Sequence, residues 1–329
     1  MSKIAIAICC ERGELEKLTI ILIKSLFRFS DLKDKVEIIS FSPRKNFQPQ
    51  KKTLDLLEMS GVSINTSILN VDYPYYPLYN KPLVSSYLEQ KNIYDYILFL
   101  DSDLLILNKF SVPEVVGKND IALQCEFKNQ ISALNEQDHH FSYWSRLFSL
   151  LNAQPSHYCH LFTSGKKVIG YYNSGLIISK GKTGLMEKWK NNLTYLLKNF
   201  HWRNLEYFFL EQATLSVTIH QMNLKVTQLN RSFNYPISLH EEIISDNKAG
   251  NIKELSVCHY LKEYEKMIDS LVSISSPYEE KLLWVKEQFE EHKIFPKSST
   301  ERFIDFVNNQ HISNLQKALY FRKKFFGSI

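Results

Sequence analysis

The sequence is poor in the residues that would tie a fold together covalently. Its 329 residues include 5 cysteines, Cys9, Cys10, Cys125, Cys159 and Cys258, an odd number without CxxC spacing. Neither a disulfide framework nor a zinc ribbon is expected, and this cysteine usage fits a reducing compartment. Glycine and proline are scarce at 10 each, which excludes collagen-like and linker-like chains. No stretch approaches the roughly 20 apolar residues that span a bilayer. The apolar run Ile4 to Cys10 is short for a signal segment and ends in Glu11-Arg12-Gly13 without a small-residue cleavage site. A soluble, cytoplasmic protein is therefore expected. Charge of one sign is lacking too: 40 Lys+Arg against 35 Asp+Glu leave +5, too mild to argue for nucleic acid. GxGxxG and GxxxxGK[ST] are both absent, which removes the main support for dinucleotide-dependent dehydrogenases and P-loop enzymes.

What is present is globular and aromatic, with 44% hydrophobic and 23% charged residues, 21 Phe, 18 Tyr and 4 Trp. The length fits one large α/β domain with an appendage, or about two units. Apolar runs at Ile4 to Ile8, Val36 to Phe41, Val62 to Leu69, Tyr96 to Leu100 and Tyr171 to Ser179 read as strands. Between them, amphipathic stretches at Leu15 to Phe29, Gln50 to Met59 and Leu78 to Gln90 read as helices, followed later by Thr183 to Phe200 and Leu210 to Met222. Strands separated by helices predict an α/β fold: a mostly parallel central sheet flanked by helices, with right-handed crossovers. Residues 1–265 are expected to form the main domain. Residues 127–165, rich in His, Trp and Tyr, are expected as an insertion or lid, and 266–329 as a C-terminal helical extension with helices at 278–293 and 301–326.

The segment Phe99-Leu100-Asp101-Ser102-Asp103-Leu104-Leu105 carries the chemistry. Two carboxylates flank one serine at the end of an apolar strand, where open sheets collect ligands. Apolar residues on both sides argue against an ordinary exposed turn, and two carboxylates there need a cation. Mg²⁺ or Mn²⁺ on a diphosphate fits, since hard cations take carboxylate and phosphate oxygens.

This segment resembles the metal-binding motif of glycosyltransferases of the GT-A fold. Three further segments follow in the order found in the retaining family 8 enzymes. Tyr172-Asn173-Ser174-Gly175-Leu176 resembles their donor-sugar strand, Glu211-Gln212-Ala213 their acidic–glutamine–acidic helix start, and Val257-Cys258-His259 the strand that supplies a histidine to the metal. The resemblance covers about residues 1–265. It implies a metal-dependent glycosyltransferase that moves a hexose from a nucleotide-diphosphate donor, with UDP as the expected nucleotide, to a hydroxyl of a glycan or lipid-linked acceptor with retention. It assigns Asp101, Asp103 and His259 to Mn²⁺ (or Mg²⁺), and Gln212, Asn173 and Glu211 to the reacting sugar. Ser102, Ser174 and Gly175 line the donor. By fold analogy, the first strand and its turn hold the base: backbone groups of Ala7 and Ile8 would pair with uracil, with Cys9 and Arg12 beside them. Lys81 stands where relatives place a basic or polar residue near the nucleotide. Two departures are visible: Ala213 replaces the second acid, and Tyr260-Leu261-Lys262 lacks the glycine and lysine–proline–tryptophan run of close relatives, leaving Lys262 to contact the diphosphate.

Each residue also has a plainer role open to it. Glu211 serves equally as a helix-start charge, and Lys81 as an ordinary surface lysine. Tyr143, Trp144 and Tyr158 would stack on acceptor sugars from a lid, or simply pack. His157, Cys159 and His160 have the wrong spacing for a zinc site. The basic aromatic tail Gln316 to Phe326 is either a peripheral membrane contact or a docked helix. Two rival functions remain: a catalytically inactive protein of the same fold that binds a glycan or a partner, and a sugar nucleotidyltransferase. The second would need a glycine-rich basic loop where Cys9-Cys10-Glu11-Arg12-Gly13 stands.

Overall fold

The computed structural model describes residues 2–33, 35–128, 130–202, 204–245, 255–260 and 279–292. Its centre is a seven-stranded sheet. In spatial order the strands are β10 (Val226–Gln228), β6 (Ile121–Cys125), β9 (Tyr172–Lys180), β4 (Tyr96–Leu100), β1 (Ile4–Cys9), β2 (Val36–Phe41) and β3 (Ser63–Asn65). All neighbours are parallel except β9, which runs antiparallel to both β4 and β6. The sheet is mostly parallel, as expected, with one reversed strand at its middle.

The unbroken apolar runs follow from burial on both faces. Ile6, Ile8, Leu98 and Leu100 turn one way, into a cluster with Leu22 and Leu26 of α1 (Glu14–Phe29). Ala5, Ala7, Ile97 and Phe99 turn the other way, against Val84 and Leu88 of α3 (Asn80–Gln90), Trp189 of α6 (Leu185–Asn199) and Leu215 of α7 (Asn204–Gln221). Gly13 opens α1 at φ 102°. Glu16 closes that turn by accepting the Gly13 N–H at 2.8 Å, and it reaches Gln50 N–H (2.6 Å) ahead of α2 (Lys51–Met59).

Residues 127–165, expected as an insertion or lid, contain α5 (Phe141–Leu150) and β7 (Tyr158–His160), which pairs antiparallel with β8 (Lys167–Ile169) just beyond them. Tyr143, Trp144, Leu147 and Phe148 form the buried stripe of α5 and pack with Leu210, Ala213 and Val217 of α7. The stacking role expected of Tyr143 and Trp144 is thereby corrected: both rings are buried, and the Trp144 Nε1–H donates to the Ile131 carbonyl at 2.6 Å. Tyr158 is exposed. Against the expectation drawn from the odd cysteine count and spacing, Cys125 and Cys159, Cα atoms 6.1 Å apart, form a disulfide between β6 and β7, a pairing that their separation of 34 residues does not announce.

Of the expected C-terminal helices, the first is α9 (Glu279–Glu291), which docks on α1 through Phe29–Trp284 (5.0 Å, edge-on) and Lys24–Gln288 (2.7 Å). The second, at 301–326, and the tail lie outside the described residues. Among the described residues, no helix is long and apolar enough to cross a membrane.

Candidate active site

Strand register assembles the site. Leu100 at the end of β4 pairs with Leu176 of β9, so the Asp101 N–H donates to the Gly175 carbonyl at 2.8 Å. β5 (Leu104–Ile106) pairs antiparallel with β12 (Val257–His259), and His259 falls opposite Leu104. Residues far apart in sequence thus converge: one ligand atom each from Asp101, Asp103 and His259 lie within 4.8 Å of one another. His259 Nε2 is 3.2 Å from Asp103 Oδ1. Its Nδ1–H donates to Asn234 Oδ1 (3.0 Å), while Asn234 Nδ2 donates to Asn173 Oδ1 (2.9 Å). This fixes the ring and leaves Nε2 facing the carboxylates, as when a histidine that binds a metal through one nitrogen has the other tied down by a hydrogen bond.

The group fits a divalent cation. Carboxylate oxygens with one imidazole nitrogen are a donor set for Mn²⁺ or Mg²⁺. Gly175 makes the approach possible: a Cβ there would stand 2.6 Å from His259 Cε1 and 3.1 Å from Asp101 Oδ2. The electrostatics agree. Burial pushes the Asp103 carboxyl up, but the His259 imidazole and Lys81 outweigh it, and the group stays below the ordinary carboxylate range. Burial pushes His259 down, but Asp103 outweighs it and the imidazole is raised.

Lys81 is no surface lysine. It is buried, and its Nζ donates to Asp101 Oδ2 (2.7 Å) and Ser174 Oγ (3.2 Å). Burial opposes its charge, but Asp101 and Glu211 outweigh that and hold it protonated. The Ser174 hydroxyl donates to Glu211 Oε2 at 3.1 Å, whereas Glu211 Oε1 is buried without a hydrogen-bond partner. Burial raises the Glu211 carboxyl to about 7 despite Lys81. Asn173 Oδ1 also accepts the Gly175 N–H at 2.9 Å. A cavity of about 190 Å³ opens beside these groups, lined among others by Cys9, Glu11, Lys81, Asp101, Ser102 and Asp103.

The structure corrects part of the expected base contact. Ala7 and Ile8 lie in a central strand, paired with Ile39 and Ser40 on one side and with Phe99 and Leu100 on the other. Their backbone groups are committed to the sheet and their side chains are fully buried, so neither is free to pair with a base. Cys9, half-buried, does reach the cavity. Arg12 is exposed and gives its Nε–H to the Gln48 carbonyl at 3.1 Å. Lys262 lies outside the described residues.

Three site residues carry no motif. Glu11 is buried against Arg44 (Nε–Oε1 2.9 Å) and accepts from Asn80 Nδ2 (3.1 Å), which fixes the cavity floor. Asn234 orients His259. Glu126 directly follows β6, as Asp101 follows β4, and Gln212 Nε2 donates to it. Two other bonds hold the Gln212 carboxamide: its Nε2 donates to the Tyr171 hydroxyl (2.6 Å) and its Oε1 accepts the Ser174 N–H (3.2 Å). A rule of looking for acids at strand ends would have found Glu126.

Comparison with known proteins bears on fold and family. A search by sequence among curated proteins finds no match. The structure resembles the apo bifunctional glycosyltransferase WbbM (TM-score 0.52, 15% identity) over 86% of this chain, which spans only 52% of that one. More distant likenesses are GlyE of Streptococcus pneumoniae TIGR4 (TM-score 0.49, 15% identity, 91% of this chain and 66% of that one) and the galactosyltransferase LgtC (TM-score 0.45, 12% identity, 78% and 86%), solved with donor and acceptor sugar analogues. The profile of the Rhodobacterales glycosyltransferase domain matches residues 6–223, which hold most of the central sheet with Asp101, Asp103, Asn173 and Gln212 but not the His259 strand, so the chain belongs to that glycosyltransferase family and has the GT-A fold.

Proposed function

We propose that the chain transfers a sugar from a nucleotide diphosphate, with UDP as the nucleotide, to a hydroxyl of a glycan or lipid-linked acceptor, using Mn²⁺ or Mg²⁺ and retaining the anomeric configuration. The observation that carries this reading is the Asp101–Asp103–His259 cluster at the edge of a cavity that also holds the Lys81 ammonium. A cation held by those three residues would supply Lewis-acid neutralisation of the departing diphosphate.

The chain's own residues supply the rest. Lys81 adds a fixed positive charge beside Asp101, from a side chain that is itself largely withdrawn from solvent, where such a charge acts more strongly than in bulk water. Glu211 Oε1, buried and unsatisfied, is an acceptor that a sugar hydroxyl would complete. Ser174 links Lys81 to Glu211 through its hydroxyl, and Asn173 links His259 to Gly175 through the Asn234 amide. In the transfer, the anomeric C–O bond breaks and its electron pair leaves with the diphosphate. The acceptor oxygen bonds to the same carbon from the same face, and its proton passes to a diphosphate oxygen. This is a front-face course without a covalent intermediate, with Gln212 as the neighbour of the reacting carbon.

The acceptor side is supported by the rim of α7. Tyr207 and Phe208, one turn before Glu211 and Gln212, are exposed, as is Tyr75. The Tyr76 hydroxyl ties this rim to the site, donating to the Tyr207 carbonyl and accepting the Glu211 N–H, each at 3.1 Å. Exposed aromatic rings suit the C–H faces of a sugar.

Calorimetric titration of UDP in Mn²⁺ and in EDTA, with GDP as control, tests the reading on wild type and Asp103→Ala. UDP binding that needs the metal and is lost in the variant is expected, followed by transfer from one member of a UDP-sugar panel. GDP binding instead would replace the donor class. Binding of neither by folded protein would overturn the reading.

A further inference from the structure

The Gln212 carboxamide is held between an acidic group and a backbone N–H. Burial raises the Glu126 carboxyl, while the hydrogen bonds it receives from Phe127, Gln212 and Asn173 favour the carboxylate; as a carboxylate it only accepts, and a backbone N–H only donates. With Glu126 on one side of the amide and the Ser174 N–H on the other, one of its two orientations is satisfied. The flipped amide would set N–H against N–H and oxygen against carboxylate. The Tyr171 hydroxyl, which can donate or accept, does not choose between the orientations but restrains the same nitrogen in place at 2.6 Å. The holders are themselves held. Glu126 Oε1 accepts the Phe127 N–H at 2.7 Å, and the Tyr171 ring packs edge-on against Trp144 at 5.1 Å. All four groups are buried, with exposures of 6% for Glu126, 0% for Tyr171, 8% for Gln212 and 1% for Ser174.

We propose that Glu126 and Tyr171 are positioning residues for the transfer, locking Gln212 so that its oxygen and not its NH₂ group is directed toward the Ser174 side of the site. This rests on the reading of Gln212 as part of the sugar site. The carbon that loses its phosphate develops positive charge. An amide oxygen near that carbon lowers the barrier, and an N–H in the same place raises it. Ser174 takes one lone pair of Oε1, and an amide oxygen has a second. The two positioning residues therefore act through the polarity of one side chain, without touching the sugar themselves.

The test uses the purified full chain with Glu126→Gln, Tyr171→Phe, Gln212→Ala and the double variant Glu126→Gln/Gln212→Ala. For each, kcat and donor KM are measured beside UDP titration in Mn²⁺ and a thermal melt. A glutamine at 126 can donate or accept, so it releases the lock while preserving shape. The expected result is a loss in kcat of about tenfold or more for Glu126→Gln, with UDP affinity unchanged. The loss for Tyr171→Phe should be smaller. The double variant should be no slower than Gln212→Ala, because residues acting through one group are not additive. An unchanged kcat in Glu126→Gln, or losses that multiply in the double variant, would overturn the inference while leaving the function standing. A wild type without metal-dependent UDP binding or turnover would overturn the function and the inference together.

Discussion

His259 and His220 are equally buried, at 3% exposure each, yet their imidazoles are driven in opposite directions. His259 faces Asp103 and Asp101, and their charge outweighs burial. His220, on α7, faces the ring of Phe148 (5.2 Å) and the ring of His157 (3.9 Å, stacked), and burial drives it down to about 3. Burial alone therefore does not mark a functional histidine; the company of unneutralised carboxylates does. The contrast extends to the surrounding regions. The strand ends around Asp101 hold charged groups whose cost is met by each other and, on the proposed reading, by a cation. The α5–hairpin region holds neutral, hydrogen-bonded polar groups inside an aromatic cluster. The first should lose chemistry when altered, and the second should lose stability.

The largest effect separating them is expected at Trp144. Its side chain is fully buried and its indole N–H is satisfied by Ile131. Trp144→Ala should cost about 3–5 kcal/mol of unfolding free energy through the cavity it leaves. Urea unfolding checks this, and transfer measured well below the new midpoint should keep the wild-type donor KM. A variant of normal stability with altered acceptor preference would return Trp144 to the lid role that the sequence suggested.

At Gly175 the opposite pattern is expected. The Cβ of alanine would press on the His259 ring and Asp101 carboxylate. The ligands must separate, and tightly positioned metal shells respond to such shifts by about 10–100-fold in affinity or activity. Gly175→Ala should therefore weaken Mn²⁺-dependent UDP binding by about that factor while the melting temperature moves little. Titration and a thermal melt on the same preparation decide it. A large drop in melting temperature with intact UDP binding would make Gly175 a packing residue.

How far the sequence could be read follows the same division. Asp101 and Asp103 were legible because carboxylates between apolar runs are out of place unless they bind something. Asn173, Gln212, Glu211 and His259 were legible by resemblance, and the structure gathers all four around Ser174 and Gly175. What depends on strand order was not legible. Ile4 to Cys9 reads as a strand end beside a ligand, but nothing local says that Ile4 to Ile8 have partners on both sides. Glu126 went unseen because its short strand, with Gln124 inside it, merges into a polar aromatic segment. Aromatic richness there also hid a helical stripe at Tyr143, Trp144, Leu147 and Phe148, whose spacing is amphipathic. The Cys125–Cys159 bridge needs the hairpin laid against β6, which spacing does not encode.

The smallest effect expected is the acid response of the histidine pair. His220 Nδ1 accepts the Ser156 N–H (3.1 Å) and its Nε2–H donates to the Gly170 carbonyl (3.0 Å), so the neutral ring is fully used. A proton added at Nδ1 would meet a donor. Burial likewise lowers His157, to about 4, and its Nε2 lies buried without a partner. Both folded-state values are depressed, so the unfolded chain binds more protons between them and the ordinary histidine value. The stability they contribute is complete above about pH 6.5 and is lost as pH falls toward 4. One pH unit below the ordinary value, His220 alone should account for about 1.4 kcal/mol. Thermal melts between pH 7.5 and 5 should fall more steeply for wild type than for His220→Gln, which starts lower and has less to lose. His259 sets the contrast. Its raised imidazole contributes stability present below the ordinary histidine value and lost as pH rises through the folded one, so His259→Gln should steepen the acid limb where His220→Gln flattens it. Parallel curves for the two variants would mean that the buried histidines differ in place but not in electrostatics.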